Sequence, residues 1–490
     1  MANRHIDTLR PMKVIVIGAG ISGILNAIKL QRTVQNLDLV IFDKNAGLGP
    51  AKKYDVQKYM RFSHCVTEAR WNVHEAKWAV TVTNTQNGQH MIEHGDILIT
   101  ATGVLNLWEW PSIPGLSDFQ GKLMHSADWD EQYSAQCLVS DQAFDGWITT
   151  YADAHGSRRR WRLKRSRNEV LIAVISATRH TRLKLGDKIQ NHTCVNRKQI
   201  ENTVQSDYDV VLRGSESQAK AKDYFRMLMA QRLSKTPELL DHFLPTFSPL
   251  CKRLTPGPGY LEALTEDNVD VVTAPIETII KTGILTTDGK HREVDAIVCA
   301  TGFDTHFTKA FPVYGVNGSQ LFSSEQQGST QRPANYLSVA VHDFPNMFMF
   351  LGSNAGVGHG NLLIMLERMA GYVAKAVEKM QVQAIRTMQP SREAMNRFTQ
   401  HCDEHFHRTV FSESCSSWYK TDGRVTALWP GSSLHAIKAL ANPRWEDYQY
   451  EYVDDNEMGW LGDGTTEADW DSEIDKSYYL TSLESVKDDL

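Results

Sequence analysis

Apolar residues in this chain gather into short runs that end in glycine or acid. The first, Val14 to Ile17, is an uninterrupted β-branched run that breaks at Gly18, Gly20 and Gly23 and continues into Ile24 to Leu30, which has helical spacing. A run apolar at every position suits a strand buried on both faces, so the pattern predicts a parallel strand, a tight turn and a helix. Leu37 to Phe42, apolar except at Asp38, is a second run of this kind, closed by Asp43. Pro50 to Arg61 has helical composition. Phe62 to Trp71 and Lys77 to Thr83 instead alternate apolar and polar residues, predicting antiparallel strands with a turn at Gln86-Asn-Gly88. Asp96 to Gly103 reads as a buried strand ending in Ala101-Thr102-Gly103, and Val294 to Asp304 repeats that ending in Ala300-Thr301-Gly302. Tyr260 to Val272 predicts helix then strand, and Ile276 to Thr287 paired strands with a turn near Gly283. Phe344 to Gly360 is a buried strand emptying into a glycine-rich loop, followed by a helix over 361–380 with Leu362, Met365, Leu366 and Met369 on one face.

The first strand, turn and helix have the chemistry of a phosphate cradle. Gly18 permits the turn, Gly20 lets backbone approach a pyrophosphate, Gly23 lets helix and strand lie close, and the helix N-terminus faces the phosphates. An acid about 20 residues past the glycines is expected to hold a ribose hydroxyl, and Asp43 occupies that place. The pattern specifies a dinucleotide and leaves FAD and NAD open. The two Ala-Thr-Gly strands imply a first domain that is left and re-entered. The expected order is residues 1–125, an inserted domain over 126–289, a return over 290–380, a C-terminal extension over 381–461, and a solvated acidic tail over 462–490.

Length and charge narrow the class. The 490 residues allow two or three domains, and 52 basic against 58 acidic side chains give a net charge of −6, so nucleic acid and anionic membrane are not expected partners. The N-terminus lacks an apolar signal core, and no run reaches the roughly 18 apolar residues of a spanning helix. A soluble cytoplasmic protein is therefore expected. Seven cysteines, Cys65, Cys137, Cys194, Cys251, Cys299, Cys402 and Cys415, are scattered without a CxxC pair. Their spacing argues against a structural zinc site and a dithiol reductase, and their odd number suits reduced thiols better than a disulfide scaffold.

Between the first Ala-Thr-Gly and the insertion, Phe119, Gly121, His125 and Trp129, followed by Asp130, form FxGxxxHxxxW. In this pattern the chain resembles the flavin-dependent Baeyer–Villiger monooxygenases. The related N- and S-oxygenating flavin monooxygenases end the motif with another aromatic and a basic residue. The resemblance continues through Cys251 to Leu264, Ala300 to Asp304, Tyr336 to Ala340, Ser417 to Lys420, Leu428 to Ser432 and Pro443 to Tyr448. It looks closest to the fungal type acting on polyketide or terpenoid ketones, including mycotoxin pathways of the aflatoxin and sterigmatocystin kind.

The resemblance implies an α/β flavoprotein with two Rossmann-like dinucleotide-binding domains, the NADPH domain inserted in the FAD domain. It makes FAD and NADPH the cofactors, and a small-molecule ketone and O2 the reactants. Arg253 would lie over the flavin and stabilise the anionic oxygen adduct, a role suited to a guanidinium that keeps its proton, and Lys252 would read the NADPH 2′-phosphate. Cofactor binding falls to Gly18, Gly20, Ser22, Gly23, Asp43, Lys44, Val66, Ala101, Thr102, Gly103, His125, Trp129, Thr301, Gly302, Asp304 and Gly358; no metal is implied. An N- or S-oxygenating enzyme and a flavin-binding protein without turnover are the alternatives.

The chain departs from the family in two places. After Asn45 to Gly49 it lacks several dozen residues that cover the flavin ring. The expected NADPH cradle, Glu169 to His180, has no glycine where backbone must approach phosphate, so the inserted domain reads as incomplete or disturbed at about 135–215. Just before it, Arg158 to Arg167 holds seven basic residues in ten. In an acidic chain this reads as a stretch foreign to the family's frame rather than a nucleic-acid patch.

Overall fold

The computed structural model describes residues 4–47, 54–105, 107–130, 198–254, 259–303, 311–322 and 334–477, together with the backbone of two short strands at 148–151 and 159–160. Strand β1 (Met12–Ile17) leads through the glycine turn into helix α1 (Ile21–Thr33) and strand β2 (Leu37–Phe42). Short strand β3 (Met60–Arg61) is followed by β4 (His64–Asn72), β5 (Lys77–Asn84), β6 (His90–Gly95) and β7 (Ile97–Thr100). Next come β8 (Lys122–His125), β9 (Ile148–Tyr151) and β10 (Arg159–Arg160), then helix α2 (Glu216–Arg232). Strands β11 (Ile276–Ile280), β12 (Gly283–Thr286), β13 (His291–Glu293), β14 (Ala296–Cys299), β15 (Val313–Tyr314) and β16 (Met347–Met349) precede helix α3 (Leu362–Val382). The rest comprises β17 (Ile385–Pro390), α4 (Arg392–His407), β18 (Lys420–Thr421), β19 (Arg424–Val425), α5 (Ser433–Ala441) and β20 (Tyr448–Tyr452).

The first sheet runs β16-β7-β1-β2-β3, parallel throughout, with Met12 opposite Leu37, Val14 opposite Ile97 and Met347 opposite Leu98. Alternation along these strands explains why the runs are apolar at every position. Val14, Val16, Leu39, Ile41, Ile97 and Ile99 join one core with α1 and α3. Their neighbours Ile15, Ile17, Val40, Phe42 and Leu98 join a second core with Val66, Trp78, Val80 and Val82 of the antiparallel sheet β15-β4-β5-β6. Both faces are covered, so neither can carry a polar stripe. Helix α3 is capped by Asn361, whose side chain accepts from the Leu363 N–H at 2.9 Å, and its Met365, Leu366 and Met369 are buried as the spacing implies.

A second sheet has the order β10-β9-β14-β8, with β14 parallel to β8 and β9. This places the second Ala-Thr-Gly strand differently from expectation. It does not rejoin the cradle sheet near residue 290, because Ala296 to Cys299 pairs with Lys122 to His125 instead. Among the described residues, the chain returns to the cradle sheet at β16. An apolar run signals a parallel strand but not which sheet will receive it.

Three further expectations change. The helix expected at Pro50 to Arg61 is, in its described part, a 3₁₀ turn at Gln57–Tyr59 and strand β3, since pairing with the β2 edge overrides local composition. After a one-turn helix at Tyr260–Ala263 no strand follows, and Val271 packs instead on Leu233, Leu239 and Leu264. Part of the acidic tail is docked: the Ile6 N–H donates to the Thr465 carbonyl and the Asp463 N–H to the Arg4 carbonyl, each at 2.9 Å.

The cysteines also depart from the reduced reading. Cys251 and Cys415, 164 residues apart in sequence, form a disulfide with Cα atoms 6.4 Å apart. Cys65, Cys299 and Cys402 are free thiols, and burial pushes Cys402 up to about 12 and Cys299 up to about 11. Cys137 and Cys194 lie outside the described residues.

Candidate active site

The cradle assembles at the carboxyl ends of β1, β2 and β7, where ligands of parallel sheets bind. Gly18 has φ +106° and donates its N–H to the Phe42 carbonyl at 2.8 Å. A Cβ there would strike the Ala101 carbonyl, and one at Gly23 would strike the Gly18 carbonyl, so both glycines are demanded by close backbone packing. Gly20 differs, because a Cβ on it would meet nothing within 4 Å. The space it leaves lies in front of the α1 N-terminus, which has no side-chain cap. The first-turn N–H groups there can face an anion. Asp43 Oδ2 accepts from the Ala19 N–H at 2.8 Å and Oδ1 from the Asn45 N–H at 2.9 Å. The carboxylate therefore fixes the turn and retains lone pairs for a ribose hydroxyl. Open space, free helix donors and this acid together fit the ADP half of a dinucleotide.

Other expected cradle residues fall around this centre. Ser22 is buried and its carbonyl accepts from Asn26 Nδ2 at 2.8 Å. Ala101 is buried and donates its N–H to the Ile17 carbonyl at 2.8 Å, ahead of half-buried Thr102 and exposed Gly103 with φ +75°. Lys44 is exposed. The Val66 side chain belongs to the second core, which leaves its main chain, beside a register shift of β4, as what it can present.

The glycine loop before α3 is held by the C-terminal part of the chain. The Asn354 N–H donates to the Thr426 carbonyl at 2.6 Å, the Gly356 N–H to Ala427 at 2.7 Å, and the Trp429 N–H returns to the Gly356 carbonyl at 2.7 Å. A Cβ at Gly358 would strike the Phe411 ring. Packing therefore accounts for that glycine whether or not a ligand approaches it. Thr426 to Trp429 were not singled out by sequence as neighbours of this loop. The apolar Ala427-Leu428-Trp429 run, ended by Pro430 and Gly431, was their only local signal.

The linker motif meets the second sheet. His125 ends β8, is 1% exposed, and stacks on Trp108 at 4.3 Å and 9°. Its Nδ1 accepts from the Ala127 N–H at 3.1 Å, which leaves the proton on Nε2 to donate to Thr301 Oγ1, also at 3.1 Å. Burial lowers the His125 pKa against a smaller raising effect of Asp128, so the ring stays neutral. Trp129 packs on Met124 and Val298. Lys122 and Asp130 pair at 2.5 Å, and with Trp110 and Trp129 they line a cleft of about 230 Å³. His125, Trp129, Thr301 and Gly302 are thus brought together, but at the second sheet rather than at the Gly18 cradle. Asp304 lies outside the described residues, as do Glu169 to His180 and most of the basic run.

Lys252 lies with its ammonium 5.3 Å from the Phe247 ring centre. Arg253 is exposed, and its charge acts on the buried Tyr419 phenol, drawing its pKa down against the larger upward push of burial. Tyr419 stands edge-on to Phe411 at 5.9 Å, and Phe411 is the ring against Gly358. The charge of Arg253 thus reaches a phenol that is one aromatic ring removed from the glycine loop.

Residues 16–72 match the family described as NAD(P)-binding Rossmann-like domain. The chain is 32% identical to FAD-binding monooxygenase stcW of Emericella nidulans, over 94% of this chain and 86% of that protein. It is 30% identical to FAD-binding monooxygenase moxY of Dothistroma septosporum, over 94% and 83%. The latter alignment runs over 524 positions against 490 residues here, so that relative carries stretches without counterpart in this chain. Among solved structures, OTEMO in complex with FAD and NADP superposes with a TM-score of 0.70 at 20% identity, covering 90% of this chain and 99% of that one. Steroid monooxygenase bound to NADP gives 0.68 at 19%, with the same coverage. These two share the two-dinucleotide-domain fold.

Proposed function

The chain belongs to the FAD-binding monooxygenases, and from that premise we propose that it uses FAD, NADPH and O2 to insert one oxygen atom next to a ketone carbonyl, in the Baeyer–Villiger manner. The observation that supports this most is the pairing of His125 with Thr301, because it gives the linker signature a physical role in tying the segment between the sheets to the turn after β14. Bound FAD and NADPH supply the hydride transfer and oxygen activation.

The chain's own residues bind and orient. Gly18, Gly20 and the α1 N-terminus receive the pyrophosphate, and Asp43 the ribose. His125, kept neutral, holds the Thr301 hydroxyl by its Nε2–H without adding charge. Arg253 supplies a permanent cation on the glycine-loop side, where negative charge on oxygen must be stabilised. The fungal relatives support a ketone of secondary metabolism, of polyketide type, as substrate. Trp129-Asp130 argues against N- or S-oxygenation.

The stretches present in moxY and absent here, with the glycine-free Glu169 to His180, favour a second reading: a flavin-binding protein that NADPH does not reduce. Anaerobic mixing of the yellow holoprotein with NADPH separates the two. Bleaching of the flavin and, once O2 is admitted, a product one oxygen atom heavier from a ketone panel are expected. A flavin that stays oxidised overturns the monooxygenase reading for this chain.

A further inference from the structure

The Cys251–Cys415 disulfide stands two residues before Arg253, the residue assigned to oxygen chemistry. It joins two segments far apart in sequence, Ser248 to Arg253 and Glu413 to Lys420. The same two segments are clamped again by the Ser248 N–H and Oγ–H, which donate to the two Glu413 carboxylate oxygens at 2.9 and 2.7 Å. Lys420 Nζ donates to the Glu413 and Cys415 carbonyls, the latter at 2.9 Å, and so closes the turn that presents Cys415.

From this turn the chain continues to the glycine loop. The Tyr419 carbonyl accepts from the Thr426 and Ala427 N–H groups at 2.9 and 3.1 Å, and residues 426–429 are bonded in turn to Asn354 and Gly356. The segment from Glu413 to Trp429 is thus a frame with one end on the glycine loop and the other on Cys251. Arg253, two residues beyond Cys251, is itself exposed, so its own packing does little to hold it. The next residues toward its amino side, by contrast, are fixed: Cys251 is fully buried and Cys415 nearly so.

We propose that Cys251 and Cys415 are positioning residues for the oxygenation, their disulfide pinning the Arg253 segment to the frame that carries the glycine loop. The role rests on Arg253 acting at the flavin as read above. Opening the pin takes two electrons and two protons from a dithiol such as dithiothreitol. The Sγ–Sγ bond breaks, two thiols form, and the reagent closes to its own cyclic disulfide. Arg253 then keeps its charge and loses its fixed place.

The test uses the FAD-loaded full chain. After treatment with oxidised glutathione and alkylation without reduction, a linked peptide containing Cys251 and Cys415 is expected; two alkylated thiols overturn the proposal. The reduction potential of bound FAD reports the nearby cation without requiring a known substrate. Cys251→Ser, Cys415→Ser and dithiothreitol-treated wild type are each expected to retain FAD with a potential lowered by about 30 mV, a tenfold change in the two-electron equilibrium. Arg253→Met is expected to lower it as well, and opening the disulfide in that variant to lower it no further. If Arg253→Met leaves the potential unchanged, the reading of Arg253 fails. If it lowers the potential while the serine variants and the reduced wild type do not, the pin alone is overturned. Loss of FAD from all three would also overturn it, since the bond would then hold the fold rather than one side chain.

Discussion

Gly18 concentrates two constraints in one residue, a left-handed φ and backbone contact with Ala101. Gly18→Ala is expected to cost about 1–3 kcal/mol from backbone strain alone and to displace Ala101 or the turn. Purified variant protein should show a lower flavin-to-protein absorbance ratio and a lower melting midpoint. Gly20→Ala separates ligand from fold, because its Cβ enters open space; its flavin content should fall while the midpoint of the flavin-free protein stays put. At this scale the sequence was legible where a residue type is forced by geometry. Gly18, Gly23 and Asp43 announced themselves by spacing, since few residues survive at such turns. His125 and Thr301 were each visible through a motif, but their pairing was not, because a hydrogen bond across 176 residues leaves no local pattern. The disulfide was hidden for the same reason, and the odd cysteine count pointed away from it.

At the scale of elements, helix α3 shows how a loop and a helix share one joint. Asn361 caps the helix through the Leu363 N–H and also donates from Nδ2 to Glu201 at 3.0 Å. Asn361→Ala is expected to lower stability by about 1 kcal/mol, read by chemical denaturation, whereas Asn361→Ser should recover most of it. The period of 3.6 and the single apolar face made this helix legible. The central strands of the cradle sheet were legible too, because burial on both faces leaves a largely apolar run. Membership was not: β14 carries the same signature as β7 yet belongs to the other sheet, since its hydrogen-bonding edge can serve any parallel neighbour. The β3 segment was misread because its helical composition is a weak preference beside two ladder partners on β2.

At the scale of the molecule, the two ends of the described chain meet. Beyond the bonds of Ile6 and Asp463, the Glu467 N–H donates to Asp7 Oδ2 at 2.9 Å. A chain ending at Leu461 is expected to retain FAD but to expose its first ten residues, so that trypsin cleaves after Arg4 faster than in the full chain. Peptide mapping of a timed digest reads this directly. That acidic residues 462–470 would dock could not be read from a composition that suits solvent. No described helix is long and apolar enough to cross a membrane.

The zipper between residues 426–429 and the glycine loop also sets a schedule. The turn at Gly18 to Gly23 leaves the ribosome early, yet β16, which completes the sheet beside β7, and the segment that holds the glycine loop emerge more than 300 and 400 residues later. At about 5–20 residues per second, the first-made half of the cradle waits on the order of tens of seconds for its other wall. Until then Val14 to Ile17 and Ile97 to Thr100 have apolar faces without their full cover, which makes this interval the chain's most exposed to aggregation and to the help of chaperones.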